Sequence, residues 1–444
     1  MGDIMENAKR GSISLNFGLR GWLVIIYCFL SFVIGGAFLG VWQITITQNA
    51  TLYGWNSTVL FSLTNVAGVL MCLIELWISR MLMKAKVSCA KLGIGMFVIY
   101  VIAAILMKVF STNMLMFSLM FIVGYITTNG QSMMVNGVLV GNWWPRRRGM
   151  VIGITTIGVP LGSAFGNGFY NIFVSMVGPD NVFFIYAAAG AVIVLLGLLF
   201  IRDFPEQVGA YPDNDKNLSS IKMKEEFEAM RKDQEKNNPW NFKTLLSTPQ
   251  VWLIILMGIV SFNSNGIFMM QSMNRLVVFG PLELNQAMFM IMISSFVALV
   301  GSPLIGVIDS KFGTKNAGIT ICVLALICTV LQIPGNYMCM LLGMVIFGVV
   351  MGGCSNIVVS LASDAFNRES SSRAFSLIQP VMHLITMGIN EIYLVLVSRF
   401  FHNYVPIYII YSILLVVCIV VFGLKYDPSK IQEKDAKLRA EMNR

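Results

Sequence analysis

The sequence predicts an all-α membrane protein with twelve transmembrane helices in two six-helix halves. Three observations carry that expectation. Of 444 residues, 56% are hydrophobic and only 12% are charged, against roughly a quarter charged in a soluble domain. A fold this apolar cannot cover its own surface with polar groups, so the excess must face lipid. The apolar stretches run about 20 residues or more, the length a spanning helix needs, whereas a barrel strand needs about 10. Finally, a polar stretch at 202–248 divides the apolar segments into two equal sets.

The segments, in order from one to twelve, are 20–43, 56–78, 92–111, 114–142, 149–177 and 181–201, then 250–274, 285–308, 316–333, 338–362, 374–400 and 405–425. The expected organisation is an N-terminal half (1–201), a central loop (202–248), a C-terminal half (249–425) and a charged, mobile tail (426–444). Residues 1–20 are polar and the first apolar segment is too long for a signal core, so no cleavable leader is expected.

Orientation follows from the basic residues. With both termini and the central loop in the cytoplasm, only Lys108, Arg275 and Arg399 of the 31 Lys and Arg fall on the opposite side. The positive-inside rule then allows one topology. The net charge of +9 is therefore loop charge facing lipid headgroups, not a nucleic-acid surface. The central loop carries "SSIKMKEEFEAMRKDQEK" at 219–236, with a short helix that Ser219 or Ser220 could cap, and reads as a solvated connector or as a regulatory or partner-docking element. The short loops point to the plasma (cell inner) membrane of a bacterium, and a monomer is expected.

The eight cysteines include no CxxC pair and fall mostly within apolar spans, where they read as small buried hydrophobes. With only His383 and His402 as histidines, no metal site is expected, and nothing implies a cofactor. No Walker loop and no HExxH is present, and the extramembrane parts leave no room for a catalytic domain, which argues against an enzyme.

Polar residues at lipid depth are costly and tend to face a cavity. Segment four holds Thr127, Thr128, Asn129 and Gln131, and segment seven holds Asn263, Asn265 and Gln271. Ser355 and Asn356 lie in segment ten, and Gln379, His383 and Asn390 in segment eleven. Their clustering predicts a wet central cavity with helix–helix hydrogen bonding as the alternative. Glu391 and Glu75 are the acidic candidates within spans for proton coupling, and Arg275 and Glu283 flank the outer loop after segment seven. Gly158, Gly162 and Gly166 form a small-residue stripe that lets another helix approach closely, and Pro160 adds a kink. Packing and a moving interface are both compatible with that stripe, as they are with Gly348, Gly352 and Gly353.

The loop after segment eight, "GVIDSKFGTKN" (306–316), resembles the G-x-x-x-D-[RK]-x-G-[RK] loop of the major facilitator superfamily through Asp309, Lys311, Gly313 and Lys315, with a serine inserted. The corresponding loop after segment two, "SRMLMKAKVS", keeps basic charge without the Gly and Asp. "GNWWPRRRGMVIGI" (141–154), with Arg146, Arg147 and Arg148, is similar to that family's loop between helices four and five. The resemblance implies alternating access by two rocking halves, with these loops pinning the halves together on the cytoplasmic side. "YGWNSTVL" (53–60), "FPEQVGAYPDN" (204–214) and "GSPLIGVID" (301–309) resemble the branch of monocarboxylate transporters and oxalate–formate exchangers. Members of that branch carry Arg before the Pro of the segment-eight motif to hold substrate carboxylate, but here Ser302 precedes Pro303. Oxalate exchangers also use a Lys in segment eleven, where this sequence offers only His383.

The sequence therefore predicts a secondary active or exchange transporter of a small organic solute, an organic acid or a neutral amphipathic molecule. The alternative is a polyspecific efflux pump for hydrophobic compounds. A proton or counter-substrate and membrane lipid are the other expected partners. Because a buried anion without a fixed cation is costly, a neutral or weakly charged solute fits best.

Overall fold

The computed structural model describes residues 16–83, 88–144, 147–178, 181–215, 240, 242–366 and 368–442. Among them, ten helices are long and apolar enough to cross a membrane, corresponding to segments one to three, six, and seven to twelve. Segment five is a bent pair, Met150–Gly166 and Tyr170–Val177, meeting at 56°. Segment four runs as Met114–Asn129, passes through a π-helical stretch at Gly130–Val135, and continues as Asn136–Trp143. The all-helical, twelve-segment expectation therefore holds, with two segments broken rather than straight.

Segment one extends from Gly18 to Tyr53, ten residues past its predicted end. The polar residues beyond 43 do not stop the helix because their hydroxyls fold back onto it. Thr45, Thr47 and Thr51 donate to the carbonyls of Val41, Gln43 and Thr47, one turn earlier. Gly54, at φ 65°, ends the helix in the left-handed conformation that a side chain resists.

Helix packing in lipid gains little from the hydrophobic effect and depends on close fit. Segments one and five show how this is met. A Cβ on Gly158, Gly162 or Gly166 would run into the backbone of Phe29, Val33 or Ala37 in segment one. The stripe thus packs within the first half. Gly348 and Gly352 likewise press segment ten onto Ser294 and Ala298 of segment eight. The helix breaks at Ile157, before Pro160, which lacks the N–H that would bond Thr156. The larger 56° bend lies further on, between Gly166 and Tyr170. The halves themselves meet where segment five packs on eight and segment two on eleven.

The tail differs from its prediction. Ser429–Met442 is a helix, docked rather than mobile. Trp240, where the chain leaves the central loop, is fully buried and donates its Nε1 to Asp435 at 2.6 Å. Arg439 pairs with the other carboxylate oxygen at 2.9 Å, and Lys434 bonds Thr248 and lies over the Trp240 ring. Ser429 donates to Asp427 just ahead of the helix, which holds that carboxyl below its usual range. A charged sequence was compatible with mobility, but Asp435 and Ile431 are spent on a buried face. The 219–236 stretch lies outside the described residues.

Candidate functional site

At the end of the bundle away from the termini, polar side chains join the two halves. Glu391, on segment eleven, accepts from Ser62 Oγ at 2.7 Å and from Asn65 Nδ2 at 2.8 Å, both on segment two. Segment two packs here because Gly68 leaves room for the Met387 side chain one turn before Glu391. Gln43, on segment one, makes a second link. Its Nε2 donates to the Met269 carbonyl at 2.6 Å, and its Oε1 accepts from Ser272 Oγ at 2.5 Å and Met273 N at 3.4 Å. Met269 lies in a π-helical stretch of segment seven, Gly266–Met270, and Ser272 and Met273 lie between it and a second such stretch, Asn274–Val278. One buried amide thereby bonds both a carbonyl and an N–H of this stretch of segment seven. Asn171 and Asn285 make a third link, at 2.9 Å.

At the opposite end, the following bonds among the described residues join each half to itself or to the adjoining central loop. Arg147 reaches Asp213, the Asn16 carbonyl and the Phe17 ring. Asp203 accepts from Ser88 and from the Ala90 N–H. Lys315 donates to the Tyr426 carbonyl at 3.0 Å. Gly313, at φ 86°, turns the chain between segments eight and nine, and its N–H donates to the backbone carbonyl of Asp309 at 2.9 Å. Asp309 is half-buried and Lys311 is exposed. Arg146 lies outside the described residues, as do the side chains of Arg148 and Glu75.

Between these two ends, segments seven, ten and eleven bring several predicted residues together. Asn265 donates its Nδ2 to Cys354 Sγ at 3.1 Å, while its buried carbonyl oxygen has no partner. The His383 ring stands edge-to-face with Phe262, centroids 5.3 Å apart. His383 and Gln379 are half-buried, and neither makes a protein hydrogen bond among the described residues. Gln379, His383, Met387 and Glu391 recur every four residues and share one helical face.

Other predicted residues are directed elsewhere. Gln131 is fully buried and donates to the Tyr27 hydroxyl inside the first half. Gln271 donates to the Asn390 carbonyl and accepts from Tyr404 inside the second. Thr127, Thr128 and Asn129 bond carbonyls of their own helix, although Asn129 stays half-buried. Asn263 is buried with its Oδ1 unpaired. Ser302 is half-buried, with its backbone against Gly352. The side chains of Ser355 and Asn356 lie outside the described residues.

Arg275 does not flank a loop. It is only 1% exposed, because the π-helical stretch Asn274–Val278 carries it into the second half. It donates to Gln332 Oε1 at 2.7 Å, Tyr408 at 3.4 Å and Met344 Sδ at 3.1 Å, and lies 5.0 Å over Phe268. All these partners are neutral. Sequence reasoning also missed Gln43, Ser62 and Asn65. Their one signal was an amide or hydroxyl within an apolar run.

The sequence pattern of the Major Facilitator Superfamily matches residues 95–389, well over half of the chain. The chain belongs to the Major Facilitator Superfamily. Solved structures agree on the fold. The D-xylose–proton symporter is 13% identical and covers 92% of this chain and 99% of its own, with a TM-score of 0.68. The inward-open xylose transporter of E. coli is 12% identical over 91% of this chain and 96% of its own, also at 0.68. A POT family transporter in complex with 5-aminolevulinic acid is 16% identical over 91% and 97%, at 0.67. No curated protein matches the sequence. Membership makes the chain a multi-pass membrane transporter, a fold consistent with solute movement by alternating access.

Proposed function

We propose that this transporter moves a small organic solute without a fixed negative charge across the plasma membrane, by alternating access of its two halves. The observation that carries the reading is the chemistry between the two bundle ends. Phe262, Asn265, Cys354, Gln379 and His383 supply a ring, amides, a thiol and an imidazole. Ser302 stands where the related branch has arginine, and Arg275 is turned into the second half. A carboxylate entering here would be desolvated without a fixed cation to receive it.

The positive-inside count supports a cytoplasmic location for both termini and the central loop. The Glu391, Gln43 and Asn171 links then close the outer side, which corresponds to an inward-facing state of a monomer. The motifs at 53–60, 204–214 and 301–309 support placement beside the monocarboxylate and oxalate–formate branch, with a changed substrate class. Coupling to a proton would run through Glu391 or Glu75, and exchange needs neither.

Counterflow in proteoliposomes tests the reading, with small carboxylates and neutral aromatic or terpenoid-like solutes as the panel. Accumulation of neutral solutes is expected. Accumulation of carboxylates alone would overturn it, and unselective movement of many hydrophobic compounds would favour polyspecific efflux.

A further inference from the structure

Glu391 is a spanning carboxylate whose bonded partners are neutral, Ser62 and Asn65. Among the described residues, the basic groups on the same and the adjoining segment are occupied or distant. Arg275, on the adjoining stretch of segment seven, is taken up by Gln332, Tyr408 and Phe268. Arg399 lies eight residues on, about 12 Å along the helix. Both donors to Glu391 come from the opposite half. When the outer side opens, segments two and eleven separate and the carboxylate loses both donors at once. An ionised carboxylate that has lost its donors in a partly dry site has a strong demand for a new one.

The residues further in have the same polarity. Asn265 Oδ1 is a buried acceptor without a donor. Phe262 offers a ring face, and Met387 and Cys354 offer sulfur. These groups accept hydrogen bonds or attract a cation, and none of them repels one. The His383-to-Glu391 stripe joins the two regions over about 12 Å of one helix face.

We infer that the solute is an organic cation, a protonated amine carried on an apolar or aromatic body, and that Glu391 is its outer recognition group. In the outward-facing state the ammonium replaces Ser62 and Asn65 on the carboxylate. Deeper in, it or its neighbouring N–H groups reach Asn265 while the apolar body lies against Phe262. This rests on the central site proposed above and narrows its substrate class from solutes without a fixed negative charge to cationic ones.

The test uses three probes of one shape and three charges: 2-phenylethylamine, 2-phenylethanol and phenylacetate. Each is measured by proteoliposome counterflow and by thermal stabilisation of the full-length protein. The amine should be favoured over the alcohol by about tenfold, the worth of one charge-assisted hydrogen bond in a partly dry site. Phenylacetate should rank last. Glu391→Gln should bring the amine-to-alcohol ratio close to one, and Glu391→Asp, which keeps the charge, should retain a preference. Equal handling of amine and alcohol by the wild type would overturn the cationic reading and leave the neutral-solute reading standing. Handling of phenylacetate alone, or of none of the three, would overturn both. An undiminished amine preference in a folded Glu391→Gln protein would remove Glu391 from recognition.

Discussion

Asn65 donates its side-chain amide to the carboxylate of Glu391 at 2.8 Å, so a residue of segment two and a residue 326 positions later hold the two halves together. Ser62 fills the second carboxylate oxygen. In an alternating-access transporter such a bond stabilises one state only. Glu391 is half-buried, so the two bonds together are worth about 1.5 kcal/mol after allowance for solvent screening. Replacing both donors by alanine should shift the resting population toward the outward-open form roughly tenfold. Spin labels at Thr51 and Asn403, both exposed and close in sequence to this latch end of segments one and eleven, would show this as a longer distance. An unchanged distance distribution would mean that the latch does not set the resting state.

Gln43 offers a sharper comparison, because its amide both donates and accepts. Gln43→Glu keeps the acceptor for Ser272 and Met273 but loses the bond to the Met269 carbonyl. Gln43→Leu loses all three. An orphaned buried polar group costs about 1–3 kcal/mol, so the leucine variant should lower counterflow rate and thermal stability more than the glutamate variant. The opposite order would show that a new charge beside segment seven matters more than the lost bonds.

What the sequence revealed and what it hid have a common cause. Lipid and helix neighbours are both apolar, so spanning length is obvious while the facing direction of each helix leaves little pattern. Twelve segments could therefore be counted, yet nothing in the string separates Asn265, which bonds Cys354 in segment ten, from Gln131, which turns into its own half toward Tyr27. Arg275 was hidden differently. A charge beside Gly280 and Pro281 reads as a loop, but the π-helical continuation draws it inward. The family loop at 306–316 was legible because Asp309, Lys311, Gly313 and Lys315 keep the family's residue types in their order despite the inserted serine.

Arg275 itself makes a testable case. Its guanidinium is buried among neutral acceptors and an aromatic ring, an environment suited to a planar, weakly hydrated cation. A lysine there would bury a compact, strongly hydrated charge and could not reach Gln332 and Tyr408 together. Arg275→Met leaves Gln332 short of one donor but buries no charge. We expect thermal stability to fall in the order wild type, Met, Lys, with the lysine variant down by about 3–5 kcal/mol. Lysine equal to arginine would show that charge alone suffices.

The glycine stripe separates close packing from flexibility. Gly162→Ala would force a Cβ into the Val33 backbone and should lower stability strongly. Gly153 lies in the same segment with open space at its Cβ position, and Gly153→Ala should stabilise by about 0.5–1 kcal/mol. Measured melting temperatures of the two variants should therefore move in opposite directions. If both fell, the segment would need glycine for movement as well as for contact.

The docked tail gives the last expectation. Asp435 is fully buried and serves Trp240 and Arg439 together. Asp435→Asn can still accept from Trp240 but loses the ion pair with Arg439. Asp435→Leu leaves the indole N–H with no acceptor in a buried site, at a cost of about 1–3 kcal/mol. A 14-residue helix is marginal by itself in water, so a loss of that size should release it. Limited trypsin digestion reads the result, because Lys430, Lys434 and Lys437 all lie in this helix. We expect resistance in the wild type, slow cleavage with asparagine and rapid cleavage with leucine. Equal resistance in all three would mean that Ile431, Leu438 and the Lys434–Thr248 bond hold the helix without the carboxylate.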